Sequence, residues 1–189
     1  MEYFEPEFEK GNDILYVHFS KAMSGTFNAM NLALEELKEK YPERKVYTID
    51  TKGITIISYL IVKEVAELYK QGKTIEEILK WAEEEVDKFA VYFYADDLKF
   101  FAKSGRVSGL AALFGGLIGI KPIIYMDEKG TMTNIGKERG RVNATNRLIQ
   151  YVKELGLDLD KHRIIIGHTD SLDNANKIKE LLIENFGEN

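Results

Sequence analysis

Asp13 to Phe19, with the apolar run Ile14-Leu15-Tyr16-Val17-His18-Phe19, reads as one buried strand. Soon after it, Phe27, Met30, Leu34 and Leu37 recur at the spacing of a helix face until Tyr41-Pro42 stops the pattern. The same order then repeats. Val46-Tyr47-Thr48-Ile49-Asp50 reads as a second strand, and beyond Gly53 an apolar stripe of Ile57, Leu60 or Ile61, Val65 and Leu68 reads as a second helix. Antiparallel neighbours can be joined by a tight hairpin, whereas parallel neighbours need a crossover of about a dozen residues or more. Strands separated by helices therefore imply parallel pairing and an α/β unit.

Between the first strand and its helix lie Ser24, Gly25 and Thr26. The N-terminus of a helix carries backbone N–H groups without intrahelical partners and the positive end of the helix dipole, so a carboxylate or phosphate is favoured there beside a small hydroxyl. Local residues alone favour the plainer reading, in which Ser24 caps the helix and Gly25 turns the chain. Local chemistry leaves both readings open.

The rest of the chain departs from simple alternation. Glu2 to Gly11, with Tyr3, Phe4 and Phe8, reads as a helix end packed on the following strand. Thr74-Ile75-Glu76-Glu77 is a capping-box pattern opening a helix that presents Ile78, Trp81, Val86 and Phe89. Ala90 to Ala95 reads as a strand, and Asp97 caps a short helix containing Leu98, Phe100 and Phe101. Lys121 to Met126 and Thr131 to Asn134 read as strands of a hairpin turning at Asp127-Glu128-Lys129-Gly130. A helix from Arg139 to Leu155, a strand from Arg163 to Gly167 and a helix from Leu172 to Phe186 follow. The expected architecture is α/β, with a parallel strand-helix domain over residues 1–80 and a mixed-sheet α/β domain over 81–189.

Charge and composition argue against several function classes. A net charge of −5 with no long Lys/Arg block gives no electrostatic reason to expect nucleic acid or an anionic membrane as partner. The chain has no cysteine, which removes disulfides, thiolate ligands and a cysteine nucleophile and fits a reducing cytoplasm. Its first residues, Met1-Glu2-Tyr3-Phe4-Glu5-Pro6, lack the basic and apolar regions of a signal peptide. The apolar segment Val107 to Ile120 is broken by glycines and is shorter than the roughly 20 residues of a membrane span, so it reads as a cover for a core or ligand rather than a membrane insertion. Ser24, His18, His168 and Asp170 supply the residue types of a hydrolase triad, but Ser24 lacks the Gly-x-Ser-x-Gly elbow. There is no Walker A loop, dinucleotide fingerprint or two-histidine metal helix, so no metal or catalytic residue is expected. Arg106, Lys121, Arg139 and Arg141 are cations able to complement an anion.

Four short motifs fall in one order. Ser24-Gly25-Thr26-Phe27 resembles the Ser-Gly-Thr-aromatic motif of the DegV family, the fatty-acid-binding proteins that serve a bacterial fatty acid kinase. Ser104-Gly105-Arg106-Val107-Ser108 resembles that family's Gly-Gly-Arg-Ile-Ser turn, Gly119 to Ile124 its Ile-Lys-Pro strand, and Lys137-Glu138-Arg139-Gly140 its Lys-x-Arg segment. The resemblance implies two α/β domains holding one long-chain fatty acid, which a kinase subunit phosphorylates on its carboxylate. It implies Ser24 as a hydrogen-bond donor to the head group, Gly25 and Thr26 as shapers of the helix N-terminus, and Arg106 as a further ligand-binding residue. Phe27, Met30 and part of Val107 to Ile120 become tail contacts.

The sequence also departs from the family pattern. The family's Thr-Ser-Gln-Pro-Ser segment and first strand would precede Met1, and its Gly-Thr-His segment would follow Asn189. Asp50-Thr51 resembles its Asp-Ser, but Thr55-Ile56-Ile57-Ser58 stands where Ser-x-Gly-x-Gly is usual. These departures keep a second reading open, a truncated relative acting as a structural or protein-interaction module without lipid. They also imply an unpaired strand edge and uncovered apolar surface, and with them a homodimer whose interface is that edge or the Val107 to Ile120 region.

Overall fold

The computed structural model describes residues 2–96, 103–108 and 119–188. The expected short helix with Leu98, Phe100 and Phe101 lies outside these residues, as does most of the apolar cover expected from Val107 to Ile120. The chain divides into two compact units, Met1–Ala90 with Met126–Thr131, and Val91–Tyr125 with Met132–Asn189. The expected boundary after residue 80 falls inside a helix, Ile75–Glu85.

The first unit begins with α1 (Glu5–Glu9), β1 (Ile14–His18), α2 (Thr26–Lys40) and β2 (Val46–Asp50). The two strands pair in parallel from Ile14↔Val46 to His18↔Asp50, as a helical crossover requires. The α2 stripe buries Met30, Leu34 and Leu37 with Phe8 of α1, and Phe4, Ile14, Tyr16, Phe27, Tyr41 and Val46 pack around them. Burying a leucine-sized side chain contributes about 1.5–3 kcal/mol, so this stripe is a principal reason for α2 to lie where it does. Phe4 meets Tyr16 edge-on at 5.6 Å, while Tyr3 of the same expected aromatic set is 82% exposed.

The next helix, α3 (Thr55–Lys70), buries Ile57, Ile61 and Val65, so Ile61 rather than Leu60 takes the inward position. In α4 (Ile75–Glu85) the capping box forms in full: the Thr74 hydroxyl accepts the Glu77 N–H, and the Glu77 carboxylate accepts the Thr74 N–H at 2.8 Å. A 3-10 turn, Val86–Lys88, closes this run, and Trp81 lies edge-on to Phe89 at 6.1 Å.

The second unit holds a sheet in the order β3-β5-β6-β4, with β3 (Tyr92–Tyr94), β4 (Val107–Ser108), β5 (Ile120–Met126) and β6 (Met132–Arg139). Met126, the last residue of β5, is assigned to the first unit. The sheet is mixed, since β3 runs antiparallel to β5 and β4 parallel to β6. Two helices follow, α5 (Gly140–Leu155) and α6 (Leu172–Phe186). Tyr92 stacks on Tyr125 at 5.8 Å and on Tyr151 of α5 at 5.0 Å. Burial and then its two phenol neighbours raise the Tyr92 hydroxyl above its ordinary pKa.

Two expectations change. The second hairpin strand, expected over Thr131 to Asn134, begins at Met132 and runs to Arg139, so Arg139 ends a strand instead of opening the helix. Arg163 to Gly167 is not a strand, because no neighbouring segment among the described residues supplies the ladder that a strand needs for its backbone groups.

The hairpin turns as its residues dictate. Asp127 accepts the Lys129 and Thr131 N–H groups and the Thr131 hydroxyl, and Gly130 takes φ +77°. Residues 126–131 belong to the first unit, where the carbonyl of Gly130 accepts the buried Ser20 hydroxyl at 2.5 Å. A Cβ at Gly130 would collide with Ser20 Oγ and stand 3.2 Å from the Lys52 Cα. Gly130→Ala therefore meets both a backbone angle that side-chain-bearing residues rarely adopt and backbone crowding, and it is expected to destabilise the protein by more than about 1 kcal/mol. Urea unfolding checks this; an unchanged midpoint would contradict it.

Candidate functional site

The site-bearing segment is the loop from β1 to α2. Its first half is held by groups distant in sequence. Ser20 donates its N–H to the Gly53 carbonyl at 2.7 Å, its hydroxyl accepts the Ala22 N–H, and the Met23 N–H returns to the Ser20 carbonyl. Asp50, at the end of β2, accepts the Lys21 and Lys52 N–H groups. Thr51, also buried, shares a hydrogen bond with Ser58 at 2.9 Å. Sequence reasoning missed Ser20 as an anchor, and the one signal for it is a small polar residue directly after an apolar strand.

The second half carries Ser24, Gly25 and Thr26. Gly25, not Ser24, occupies the N-cap position of α2, with φ −72° and no side chain to offer. The Ser24 hydroxyl accepts the Thr26 N–H at 3.2 Å and shares a hydrogen bond with the Thr26 hydroxyl at 2.7 Å. Ser24 is therefore a residue before the cap that satisfies one of the helix's N-terminal donors. Both hydroxyls stand at an accessible surface, since Ser24 is half-buried and Thr26 exposed. The first turn of α2 contains no carboxylate, so no side chain within that turn answers the dipole's positive end.

Arg106 belongs to the second unit. Its guanidinium donates to the Ser104 carbonyl at 2.6 Å and its N–H to the Ser104 hydroxyl at 3.3 Å, which curls the Ser104-Gly105-Arg106 turn back on itself. Gly105 makes this possible with φ +64°. Two of the other cations are already matched. Lys121 Nζ lies 2.6 Å from one oxygen of Asp96, and Arg141 meets both oxygens at 3.2 and 2.8 Å. Partial burial works against ionising Asp96, but the hydrogen bonds from Arg141 and Lys121 outweigh it and hold the carboxyl below its ordinary value of 3.8.

The residues of a hydrolase triad are not linked. Ser24 bonds to Thr26, the His168 ring accepts the Ser171 N–H at 3.2 Å, and His18 is buried with no hydrogen bond at either ring nitrogen. Three aromatic rings enclose His18: Phe19 stacked at 4.8 Å, Phe27 edge-on at 5.2 Å and Tyr16 edge-on at 5.4 Å. Among the described residues no group of three or more acidic or histidine side chains is arranged to hold a metal. No described helix is long and apolar enough to cross a membrane.

Comparison with known proteins gives one result. The family model described as "Uncharacterised protein, DegV family" matches residues 1–189. A DegV domain-containing protein of Clostridium perfringens is 36% identical over 186 residues, covering 98% of this chain and 64% of that protein. The chain thus spans a little under two thirds of that relative's length. The crystal structure of a DegV family protein from Eubacterium eligens, loaded with heptadecanoic acid, aligns with a TM-score of 0.83 at 26% identity, covering 98% of this chain and 67% of the other. The Streptococcus pneumoniae Fatty Acid Kinase B3 protein, loaded with linoleic acid, aligns with a TM-score of 0.84 at 23% identity over 97% of this chain and 64% of its own; that likeness concerns the fold.

The Asp96 cluster generates a pH dependence. A carboxyl whose pKa is depressed by folding adds stability that is present above the unfolded value and lost as pH falls through the folded value. Asp96→Asn should therefore be less stable than wild type at neutral pH, and the gap should shrink as pH falls below about 3.8, where the carboxyl begins to protonate. Thermal midpoints of both proteins across that range test this, and a constant gap would show that the charge contributes nothing.

Proposed function

Since the chain belongs to the DegV family, we propose that it binds one long-chain fatty acid and presents the carboxylate to a fatty acid kinase subunit, supplying no catalytic group itself. The observation that carries this reading is the likeness, over 98% of the chain, to a relative loaded with heptadecanoic acid. Local geometry supports it. The carboxylate goes to the α2 N-terminus, where the first turn holds no acid and the Ser24 and Thr26 hydroxyls are accessible. Ser24 donates to the carboxylate, and Gly25 lets it approach without a side chain in the way; Arg106 is a ligand-binding residue by the family resemblance alone. Phe27, half-buried in the first turn of α2, lines the start of the tail, whereas Met30, expected beside it, is taken up by the core with Phe8, Leu34 and Leu37. Each buried methylene contributes about 0.8 kcal/mol, so the tail supplies most of the affinity and the polar end fixes its direction. The setting is the cytoplasm, where a chain without cysteine is unaffected by reducing conditions.

We also infer a homodimer. The β1–β2 sheet has only two strands among the described residues, and a strand edge with unpaired backbone groups invites another. Sedimentation should show concentration-dependent association; a monomer at every concentration would refute the dimer.

Native mass spectrometry of gently purified protein should reveal a bound fatty acid, and repeated absence after exposure to lipid would count against binding. Ser24→Ala tests the head-group contact. A hydrogen bond to a charged group contributes about 1.5–3 kcal/mol, so affinity for the acid should fall on the order of ten- to hundredfold, with a smaller loss for the corresponding alcohol. Lower stability with unchanged acid affinity would leave Ser24 with a purely structural role.

A further inference from the structure

We propose that His18 is a direct contact to the ligand's carboxylate, its ring N–H donating to a carboxylate oxygen alongside the Ser24 hydroxyl; this rests on the fatty-acid reading above. Four polar side chains are buried among the described residues, and three of them are satisfied. Ser20 donates to the Gly130 carbonyl, Thr51 pairs with Ser58, and Thr145 pairs with Tyr94. His18 is the exception. It is 1% exposed, and neither ring nitrogen has a partner. Buried polar groups are almost always bonded, and an unsatisfied one calls for a ligand, a water or a functional reason.

Its position selects among these. His18 is the last residue of β1, at the C-terminal end of a parallel pair, which is the end where open α/β sheets bind ligands. Its ring lies edge-on to Phe27, the second residue of α2, and so against the helix turn that Ser24 and Thr26 open. If packing were its only task, an apolar ring would fill the same aromatic enclosure without burying two polar nitrogens. Phe19, Phe27 and Tyr16, which enclose it, are each only partly buried.

The experiment replaces His18 with an apolar ring and compares hexadecanoic acid with 1-hexadecanol on the full chain. His18→Phe should keep or raise the thermal midpoint while weakening acid binding on the order of ten- to hundredfold, with a smaller loss for the alcohol. Unchanged acid affinity, or equal losses for acid and alcohol, would overturn the assignment. A wild-type measurement covers a variant that fails to fold. Adding hexadecanoic acid to protein with 15N-labelled histidine should shift the His18 ring-nitrogen resonances, with the exposed His162 and His168 as internal references. Unmoved His18 resonances in lipid-bound protein would mean that a trapped water or nothing meets the ring, and the inference falls alone. Wild-type protein that binds neither ligand would remove the fatty-acid reading itself.

Discussion

The hydroxyl of Ser20 is fully buried, and the site-bearing loop depends on where its hydrogen bonds go. It donates to the carbonyl of Gly130, 110 residues away, and accepts the N–H of Ala22, while the Ser20 backbone N–H is taken by Gly53. A chain leaving the end of a strand has polar backbone groups that the sheet no longer satisfies, and burying them unpaired is costly. Here a β-turn with a left-handed glycine supplies one carbonyl and the start of the β2–α3 connection supplies another. The loop reaches α2 with its direction set, so Ser24 and Thr26 meet the helix terminus in one arrangement rather than many.

Charge alone is a poor guide to an anion site in this protein. Four cations draw attention in the sequence, yet Lys121 and Arg141 are both spent on Asp96, and Arg106 is engaged with the carbonyl of Ser104. The first turn of α2 has the opposite character, with no formal charge of its own, no acid to offset the dipole, and two small hydroxyls beside it. A fixed array of backbone dipoles needs no reorganisation to receive an anion, whereas a paired cation must first give up its partner.

The parts legible in the sequence are those governed by short-range pattern. The α2 stripe, the β2 strand, the Thr74–Glu77 capping box and the bounds of α6 follow from periodicity and caps, because burial of one face and satisfaction of helix-end donors act within a few residues. Arg163 to Gly167 shows where that logic ends. Its Ile164-Ile165-Ile166 run has the composition of a strand, but a strand exists only with a neighbour, and pairing is a long-range fact. Ser24 was legible as a residue at the helix start but not as lying one place before the cap, since Gly25 takes that position by backbone angle alone. Nothing in the sequence marks His18 as unsatisfied, because partners missing from a buried ring become visible only when all its neighbours are in place.

The aromatic residues divide unevenly between the two units. The chain's one tryptophan, Trp81, sits in the first unit against Phe89, while the stacked trio Tyr125, Tyr92 and Tyr151 lies wholly in the second. Indole emission therefore reports on the first unit alone. Parallel phenol rings at such separations couple their electronic transitions, so the near-ultraviolet circular dichroism of that trio is a reporter for the second. Each half of the molecule carries its own optical label, and whether the halves melt together can be read without attaching any dye.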